Sequence, residues 1–590
     1  MVERETAVIR AGGDVGLPDA EGDPVRQART ISGAEALVLS LVRGGVRVAF
    51  GYPGGAIMPV YDALLGFDDR IRHVLVRHEQ GAVHAAEGYA RASGETGVCI
   101  ATSGPGATNL VTGIADAKLD STPVVCVTGQ VTSAALGSDA FQETDVMSVT
   151  APLTKWNYQI TDPDEIPAVV SKALYIARSG RPGPVLIDIT KDAQFRSLEY
   201  PSVAPVPEVR GYQPRPTLNE DSVEAACRLI DEARKPLVLV GQGVLLARAQ
   251  NELRDFVERA GLPFACTLLG LGAIPTRHPL YVGLLGMHGN YGPNLKTNEC
   301  DVLVAVGMRF DDRVTGDLTK YARQARVVHV DIDASEIGKN VPADVGILAD
   351  AREALAALAR GVASCSHDAW LAEFGQCLAI ERERVIDGDL RPGSPGIRMA
   401  EVIHRLSERT EGRAILVADV GQHQMAAARY YGFDESGGFI TSGGLGTMGF
   451  ALPAAMGAVV ARPDHPIIAV IGDGGFQMTL QELGAIKQEG IPVKAIVLNN
   501  GYLGMVRQWQ EMFFERRYSA IELSNPDFAE IARAFGLEGR QVVDRADLDL
   551  SINEMLASKS AFVLEVVVER EENVFPMVPA GASCSEIRLE

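Results

Sequence analysis

Residues 467–502 read IIAVIGDGGFQMTLQELGAIKQEGIPVKAIVLNNGY, and this stretch decides the fold. An apolar run, Ile467-Ile-Ala-Val-Ile471, ends in Gly472-Asp-Gly-Gly475; a helical segment follows, and a second β-branched run, Val493-Lys-Ala-Ile-Val-Leu498, ends in Asn499-Asn500-Gly-Tyr502. Short apolar runs separated by one helix mark neighbouring parallel strands covered on both faces. Such strands deliver their terminal polar groups to one sheet edge, where α/β sheets bind ligands and helix amides face anions. Asp473 is the one charge there, Asn500 adds an amide oxygen and Tyr502 a backbone carbonyl. Three hard oxygens suit Mg²⁺, which takes few protein ligands and completes its shell with water and phosphate. Alone, Gly-Asp-Gly reads as a tight turn and Asn-Asn as a strand cap. Together, with only residues 475–498 between Gly474 and Asn499, they predict a diphosphate held through a cation.

The same alternation extends outward. Val98-Cys-Ile-Ala-Thr102, Pro123-Val-Val-Cys-Val-Thr128, Pro236-Leu-Val-Leu-Val240 and Val302-Leu-Val-Ala-Val306 lie between alanine-rich helical stretches. The expected class is α/β, with three doubly wound parallel-sheet domains. A proline-rich stretch and Asp387-Gly-Asp-Leu-Arg-Pro-Gly-Ser-Pro395 interrupt the pattern. They divide the chain into domains at 30–195, 218–360 and 397–575, with linkers at 196–217 and 361–396 and tails at 1–29 and 576–590, the first read as disordered. The first and third domains read as copies. Gly104 and Asp473, each just past a strand, are offset by 473 − 104 = 369, and Pro123 and Pro492, each opening the next strand, by 492 − 123 = 369.

Composition excludes several classes. With 46% hydrophobic and 22% charged residues in 590, the chain is an ordinary globular protein with room for several cores. Its 76 acidic against 55 basic residues give a net charge of −21, which repels phosphate backbones and anionic lipids, so neither nucleic acid nor membrane is an expected partner. Eight cysteines without a C-x-x-C pair read as reduced core residues of a cytoplasmic protein. Gly449–Ala461, the most apolar stretch, is too short to span a bilayer.

Gly-Asp-Gly followed some two dozen residues later by Asn-Asn matches the thiamin diphosphate motif, and this gives the first domain its role. At 448 − 369 = 79 the first copy has Arg77-His-Glu-Gln-Gly, a strand running into a helix with Glu79 at the junction. A carboxylate there serves any helix N-terminus. Thiamin, however, loses its thiazolium proton only after its aminopyrimidine tautomerises against a carboxyl group, and a Glu in a desolvated cleft has the raised pKa to share that proton. Gly444-Leu-Gly446-Thr-Met-Gly449 formally fits a dinucleotide fingerprint, but the next strand ends in Asp473, already assigned to metal, so it reads as a close-packing glycine loop.

With both halves in hand, the chain resembles the thiamin diphosphate-dependent 2-oxoacid decarboxylases and synthases, and among them the large subunits of the acetohydroxyacid synthases, from about Thr30 to Pro579. The motifs that carry the resemblance include Gly51-Tyr-Pro-Gly-Gly-Ala, Ser103-Gly-Pro-Gly-Ala-Thr-Asn, Ala140-Phe-Gln-Glu, Gly180-Arg-Pro-Gly-Pro-Val, Gly286-Met-His-Gly, Arg309-Phe-Asp-Asp-Arg313 and Gly504-Met-Val-Arg-Gln-Trp509. The resemblance implies pyrimidine-binding, central flavin-binding and diphosphate-binding domains. It also implies a homodimer or homotetramer with the cofactor between the first domain of one subunit and the third of another, and a small regulatory subunit.

The resemblance makes Glu79 the activator of the pyrimidine ring, and Met448 and Met505 the supports that bend the cofactor, with Gly446 beside them. It gives Gln422, His423, Gly474 and Gly475 to the diphosphate, and Asp473, Asn500 and the Tyr502 carbonyl to Mg²⁺. Gly55 N–H and Gln142 face reaction intermediates. FAD falls to Arg181, Thr267, Gly286, Met287, His288, Gly307, Arg309, Asp311, Asp331 and Asp350. Gly241-Gln-Gly243 reads by itself as an ordinary turn. Arg313 pairs with a 2-oxoacid carboxylate or, alternatively, with its Asp neighbours. Trp509 stands where relatives favour 2-oxobutanoate as acceptor, and Lys191 near the substrate entrance or simply in solvent. Many relatives have Ser where this chain has Gly475, which puts one diphosphate contact in question.

The implied reaction is decarboxylation of pyruvate and transfer of the hydroxyethyl carbanion to pyruvate or 2-oxobutanoate, giving 2-acetolactate or 2-aceto-2-hydroxybutanoate, the first common step towards valine, leucine and isoleucine. The nearest rival is a pyruvate oxidase, which would bleach its flavin on anaerobic mixing with pyruvate. A non-catalytic assembly protein is the rival from another class, and the intact Glu79, Asp473 and Asn500 argue against it.

Overall fold

Three six-stranded parallel sheets organise the chain. The computed structural model describes residues 29–590 apart from 204, 206, 208, 435 and 436, so the expected tail, Arg29 excepted, lies outside the described residues. The first sheet holds β1 (Val48–Gly51), β2 (Arg72–Leu75), β3 (Gly97–Ala101), β4 (Val124–Gln130), β5 (Trp156–Ile160) and β6 (Val185–Thr190), in the order β2-β1-β3-β4-β6-β5. The second holds β7 (Pro236–Val240), β8 (Phe264–Cys266), β9 (Tyr281–Leu284), β10 (Val302–Val306), β11 (Arg326–Asp331) and β12 (Val345–Leu348), in the order β9-β8-β7-β10-β11-β12. The third holds β13 (Ile415–Ala418), β14 (Gly438–Thr441), β15 (Ile467–Gly472), β16 (Lys494–Asn499), β17 (Glu538–Val542) and β18 (Phe562–Val567), in the order β14-β13-β15-β16-β18-β17. First and third sheets share one strand order, which a common element count alone would not require. The middle sheet has the order of dinucleotide-binding folds, with its switch point between β7 and β10. There the backbone is too close for side chains: a Cβ on Gly241 would lie 2.2 Å from the Gly307 carbonyl oxygen. Gly241-Gln-Gly243 is therefore more than a turn.

Strand alternation explains how the domains assemble. In β13 and β15, Ile415, Val417, Ile467, Ala469 and Ile471 enter a core shared with Val48, Phe50 and Ala82 of the first domain. Their neighbours Leu416, Ala418, Ile468 and Val470 point to the other face, into a core shared with Val238, Val304 and Phe256 of the middle domain. Side chains of successive strand residues point to opposite faces, so the sheet joins two cores, closed by helices of its own domain, Ala451–Ala461 on the first side and Met399–Thr410 and Leu548–Ala557 on the second. On the first-domain side, helix α1 (Glu79–Ser93) packs along helix α2 (Ala451–Ala461) at backbone contact. A Cβ on Gly88 would fall 1.9 Å from the Ala454 carbonyl oxygen, and one on Gly457 1.8 Å from that of Ala85.

The stretches read as linkers and tail have structure of their own. Ser197–Tyr200 pairs antiparallel with Arg29–Ser32, and Asp368–Glu381 is a helix. Residues 576–590 fold back on the middle domain: Met577 bridges Arg588, and Val578 N–H donates to the Met287 carbonyl at 2.8 Å. Proline and glycine density signalled irregular backbone there, but not that it was packed. Seven cysteines are buried and free, as read, whereas Cys365 is exposed. Among the described residues no helix is long and apolar enough to cross a membrane.

Gly457→Ala is expected to overpack the α1–α2 contact and lower unfolding free energy by about 1–3 kcal/mol, read as a lower denaturation midpoint at unchanged slope.

Candidate active site

Parallel register builds the first part of the site. Gly472 of β15 pairs with Leu498 of β16, so the residues that follow, Asp473 and Asn499-Asn500, emerge side by side. Asp473 is buried; its Oδ2 accepts from Gly501 N–H at 2.9 Å and from Asn525 Nδ2 at 2.6 Å. Burial pushes its carboxyl up to about 6. Asn500 is buried, its Oδ1 accepting from Tyr502 N–H at 3.1 Å. Gln422 accepts weakly from Asn500 Nδ2 at 3.5 Å and donates to Gln508 and to the Glu572 carbonyl. Asp473, Asn500 and Tyr502 are thus brought together as the motif spacing implied, with Gln422, named by the resemblance, beside them. Asn525 was missed; its only signal was the turn Ser524-Asn-Pro526.

His423 supplies a test for a phosphate ligand. Burial drives its pKa down to about 3, and its Nε2 is buried without a hydrogen-bond partner. An orphaned buried ring nitrogen beside Gly472 fits a site that a polar ligand completes. Met448 Cε lies 3.4 Å from where a Gly474 Cβ would stand, so the two residues that the resemblance gives to cofactor bending and to the diphosphate are neighbours. A Cβ on Gly475 would point at Asp419 Oδ1, 2.4 Å away, so a serine hydroxyl there would meet that carboxylate. Asp419 in turn accepts from Gly449 and Ala451 N–H, holding the start of α2. Glycine at 475 thus leaves Asp419 its room.

The first domain gathers the second part. Phe50 and Gly51 of β1 pair with Cys99 and Ile100 of β3, which sets the Gly54-Gly55 turn beside Thr102. Ala56 N–H donates to Thr102 Oγ1, and Gly55 faces open space. Gln142 takes a left-handed backbone, φ 61°, and its backbone oxygen packs against Gly104. Strain of this kind in a non-glycine residue gathers at functional sites. Glu79 opens α1 and is half-buried; its Oε2 accepts from Asn109 Nδ2 at 2.9 Å. Asn109 closes the Ser103–Asn109 motif, but its role was not legible there. Nearby Glu482 is buried, its carboxyl pushed up to about 7 by that burial, and it accepts from Arg77 N–H with both oxygens at 3.1 Å. Lys191 begins the short helix Lys191–Phe195 on the same domain.

The third part is a cavity of about 1460 Å³ between the domains. Arg181, Thr267, Gly286, Met287, His288, Gly307, Arg309, Asp311, Asp331 and Asp350 all line it. So do Arg313, Gly446, Met448, Met505 and Trp509, whereas Glu79, Gly55, Gln142, Lys191 and the Asp473 group do not. It exceeds the ~300–1,000 Å³ of ordinary small-molecule pockets, which suits an extended dinucleotide with a substrate beside it. His288 Nδ1 is buried and unpartnered, and burial lowers that ring to about 4. Burial raises Asp331 to about 6. Arg313 is exposed and pairs with Asp312 at 3.8 Å, the alternative reading of its charge. Trp509 tilts against Phe513 at 5.3 Å.

A buried ion pair ties the cavity to the helix that opens with Gln422 and His423. Arg429, on the helix Gln422–Tyr430 whose first residues are Gln422 and His423, donates to Glu381 Oε1 at 2.7 Å and to the carbonyls of His288 and Gly289. Glu381, from the supposed linker, also accepts from Asn290 Nδ2 and Tyr291 N–H.

Comparison with known proteins agrees in every domain. The pattern described as thiamine pyrophosphate enzyme, N-terminal TPP binding domain, matches residues 31–149; the central domain of the same enzymes matches 223–358, and the C-terminal TPP binding domain 419–566. The acetolactate synthase isozyme 2 large subunit of Escherichia coli (strain K12) is 46% identical over 558 residues, 94% of this chain and 99% of that one. The chain belongs to the thiamine pyrophosphate enzyme family. The acetolactate synthase large subunit of Corynebacterium glutamicum is 46% identical over 566 residues, covering 95% and 90% of the two chains. Acetolactate synthase 2, chloroplastic, of Nicotiana tabacum is 46% identical over 575, covering 95% and 85%. Thiamine pyrophosphate is thiamin diphosphate, so the family's cofactor is the one to which the Gly-Asp-Gly and Asn-Asn motifs pointed.

Arg429→Met is expected to cost about 3–5 kcal/mol in chemical denaturation, because it leaves Glu381 buried and unpaired. The double variant with Glu381→Leu should recover part of the loss.

Proposed function

We propose that the chain is the catalytic large subunit of an acetolactate synthase. It decarboxylates pyruvate and joins the two-carbon fragment to a second pyruvate or to 2-oxobutanoate, giving 2-acetolactate or 2-aceto-2-hydroxybutanoate. The observation that carries the reading is the near full-length similarity to acetolactate synthase large subunits in a chain that keeps Glu79, Asp473 and Asn500. Thiamin diphosphate, when bound, supplies the carbon nucleophile for both halves of the reaction. Asp473, Asn500 and the Tyr502 carbonyl would hold Mg²⁺, and Gln422, His423, Gly474 and Gly475 the diphosphate. Glu79 would hold and return a proton at the pyrimidine ring nitrogen, while Met448 and Met505 would offer the cofactor apolar surface that excludes water. Gly55 N–H and Gln142 supply donors where negative charge develops.

FAD is the ligand proposed for the large cavity, on the dinucleotide strand order and the unpartnered His288 nitrogen. Its lining by Arg313 and Trp509 supports a 2-oxoacid binding beside the flavin. We place the pyrimidine site between the first domain of one subunit and the third of its partner in a homodimer or homotetramer. The relatives' designation as large subunits supports a small regulatory partner. A cytoplasmic location accords with eight unpaired thiols.

Glu79→Gln should lower turnover about 10²- to 10⁴-fold with thiamin diphosphate still bound, measured by acetolactate formation; an unchanged rate removes Glu79 from proton transfer. Asp473→Asn should abolish Mg²⁺-dependent thiamin diphosphate binding in calorimetry. In the wild type that affinity should weaken as pH falls through about 6, since the cation needs the ionised carboxylate. Trp509→Leu should shift products from mixed pyruvate and 2-oxobutanoate towards 2-acetolactate by up to about 10–200-fold, the worth of one methylene in an apolar pocket.

A further inference from the structure

The loop from Ser442 to Met448 belongs to the third domain, but its fixed points belong to the first. Asp120, just past the helix Val111–Leu119, accepts from Gly443 N–H with Oδ2 at 2.8 Å and from Gly444 N–H with Oδ1 at 2.7 Å. Asp116, one turn earlier on that helix, accepts from Ser442 Oγ with Oδ1 at 2.7 Å. Ser442 Oγ itself accepts from Thr447 N–H at 2.8 Å, which closes the loop at its base. Arg91 of α1 donates to the Thr441 carbonyl at 2.5 Å and pairs with Asp120 at 3.5 Å. Between these anchors the chain turns through Gly446, φ 75°, a conformation glycine adopts without strain.

Everything at the base of the loop is buried, including Asp116, Asp120 and Ser442, whereas Leu445 and Gly446 at its tip are exposed. Gly444 is wedged: a Cβ there would stand 2.8 Å from Leu119 Cβ, 2.9 Å from Asp120 Oδ1 and 3.0 Å from Arg309 Nη2. The loop wall therefore touches all three domains, and it carries Gly446 and Met448 into the large cavity. Burial raises the Asp120 pKa, while Arg91 and the two amides oppose that shift. A buried carboxylate bonded to two successive amides is a rigid joint, because breaking it leaves charge and donors unsatisfied.

We propose that Asp120, with Asp116 acting through Ser442, is a positioning residue that fixes the loop carrying Met448 from within the same subunit. On that view the first domain has two tasks: Glu79 serves the cofactor ring, and the Asp116–Asp120 face sets the shape of the apolar support in its own chain's third domain. The tether stands on geometry alone; only its consequence for turnover rests on the acetolactate synthase reading.

The test compares the full-length holoenzyme with Asp120→Asn, which turns one acceptor into a donor facing an amide, and with Ser442→Ala, which removes the hydroxyl between Asp116 and Thr447 and keeps the fold even if the first variant does not. Hydrogen exchange followed by mass spectrometry should show amides of 441–449 exchanging about 10-fold faster in either variant, with β15 and β16 unchanged. Turnover should fall about 10- to 100-fold, with the KM for pyruvate moving less than about 3-fold. Unchanged exchange in 441–449 in both variants would overturn the tether. Faster exchange spread evenly over the chain would also overturn it, because the residues would then support only the fold. A loosened loop with unchanged turnover in an active enzyme would overturn the positioning role. A loosened loop in a protein whose wild type forms no acetolactate would sink the functional reading and uphold the tether.

Discussion

The contact on which the rest depends is the crossing of α1 and α2 at Gly88 and Gly457. Each glycine lies where the other helix's backbone leaves no room for a Cβ. Only this approach lets the two similar domains pack through the helices that open beside Glu79 and beside Met448. The helices run antiparallel, Gly88 facing Ala454 and Gly457 facing Ala85, so Glu79 and Met448 stand at opposite ends of the pair and the depth of the crossing sets how the two domains seat on one another. Larger side chains would part the domains along this seam.

A second constraint acts along the strands. Parallel pairing of β15 with β16 and of β1 with β3 brings loops distant in sequence to common edges, and register decides which residues meet. Polar groups arriving there are mostly satisfied by one another: Asp473 by Gly501 and Asn525, Glu79 by Asn109, Glu482 by Arg77. Those left over, His423 Nε2 and His288 Nδ1, fall at the two places where ligands are expected.

Much of this was legible beforehand. Gly472-Asp-Gly with Asn499-Asn500 marked both strand ends and their meeting at one edge, because two β-branched runs around one helix read as parallel neighbours. The constant 369-residue offset foretold the shared strand order. Asn525, Glu482 and Arg429 were not visible, since each acts through a partner far away in sequence, and no periodicity encodes such a meeting. Composition misread residues 361–396 and 576–590: proline and glycine report where regular hydrogen bonding stops, and say nothing of whether the segment is then buried against a neighbour.

The third sheet lends one face to each of two cores, and it has no side made for water. Its own helices close both sides, Ala454 and Phe476 in the one core and Ile403 and Ile552 in the other. Newly made chain can therefore roof each sheet with helices of the same domain as it emerges, and what waits for the last domain is a seam between helices, the bare stripe of α1 at Gly88 among it.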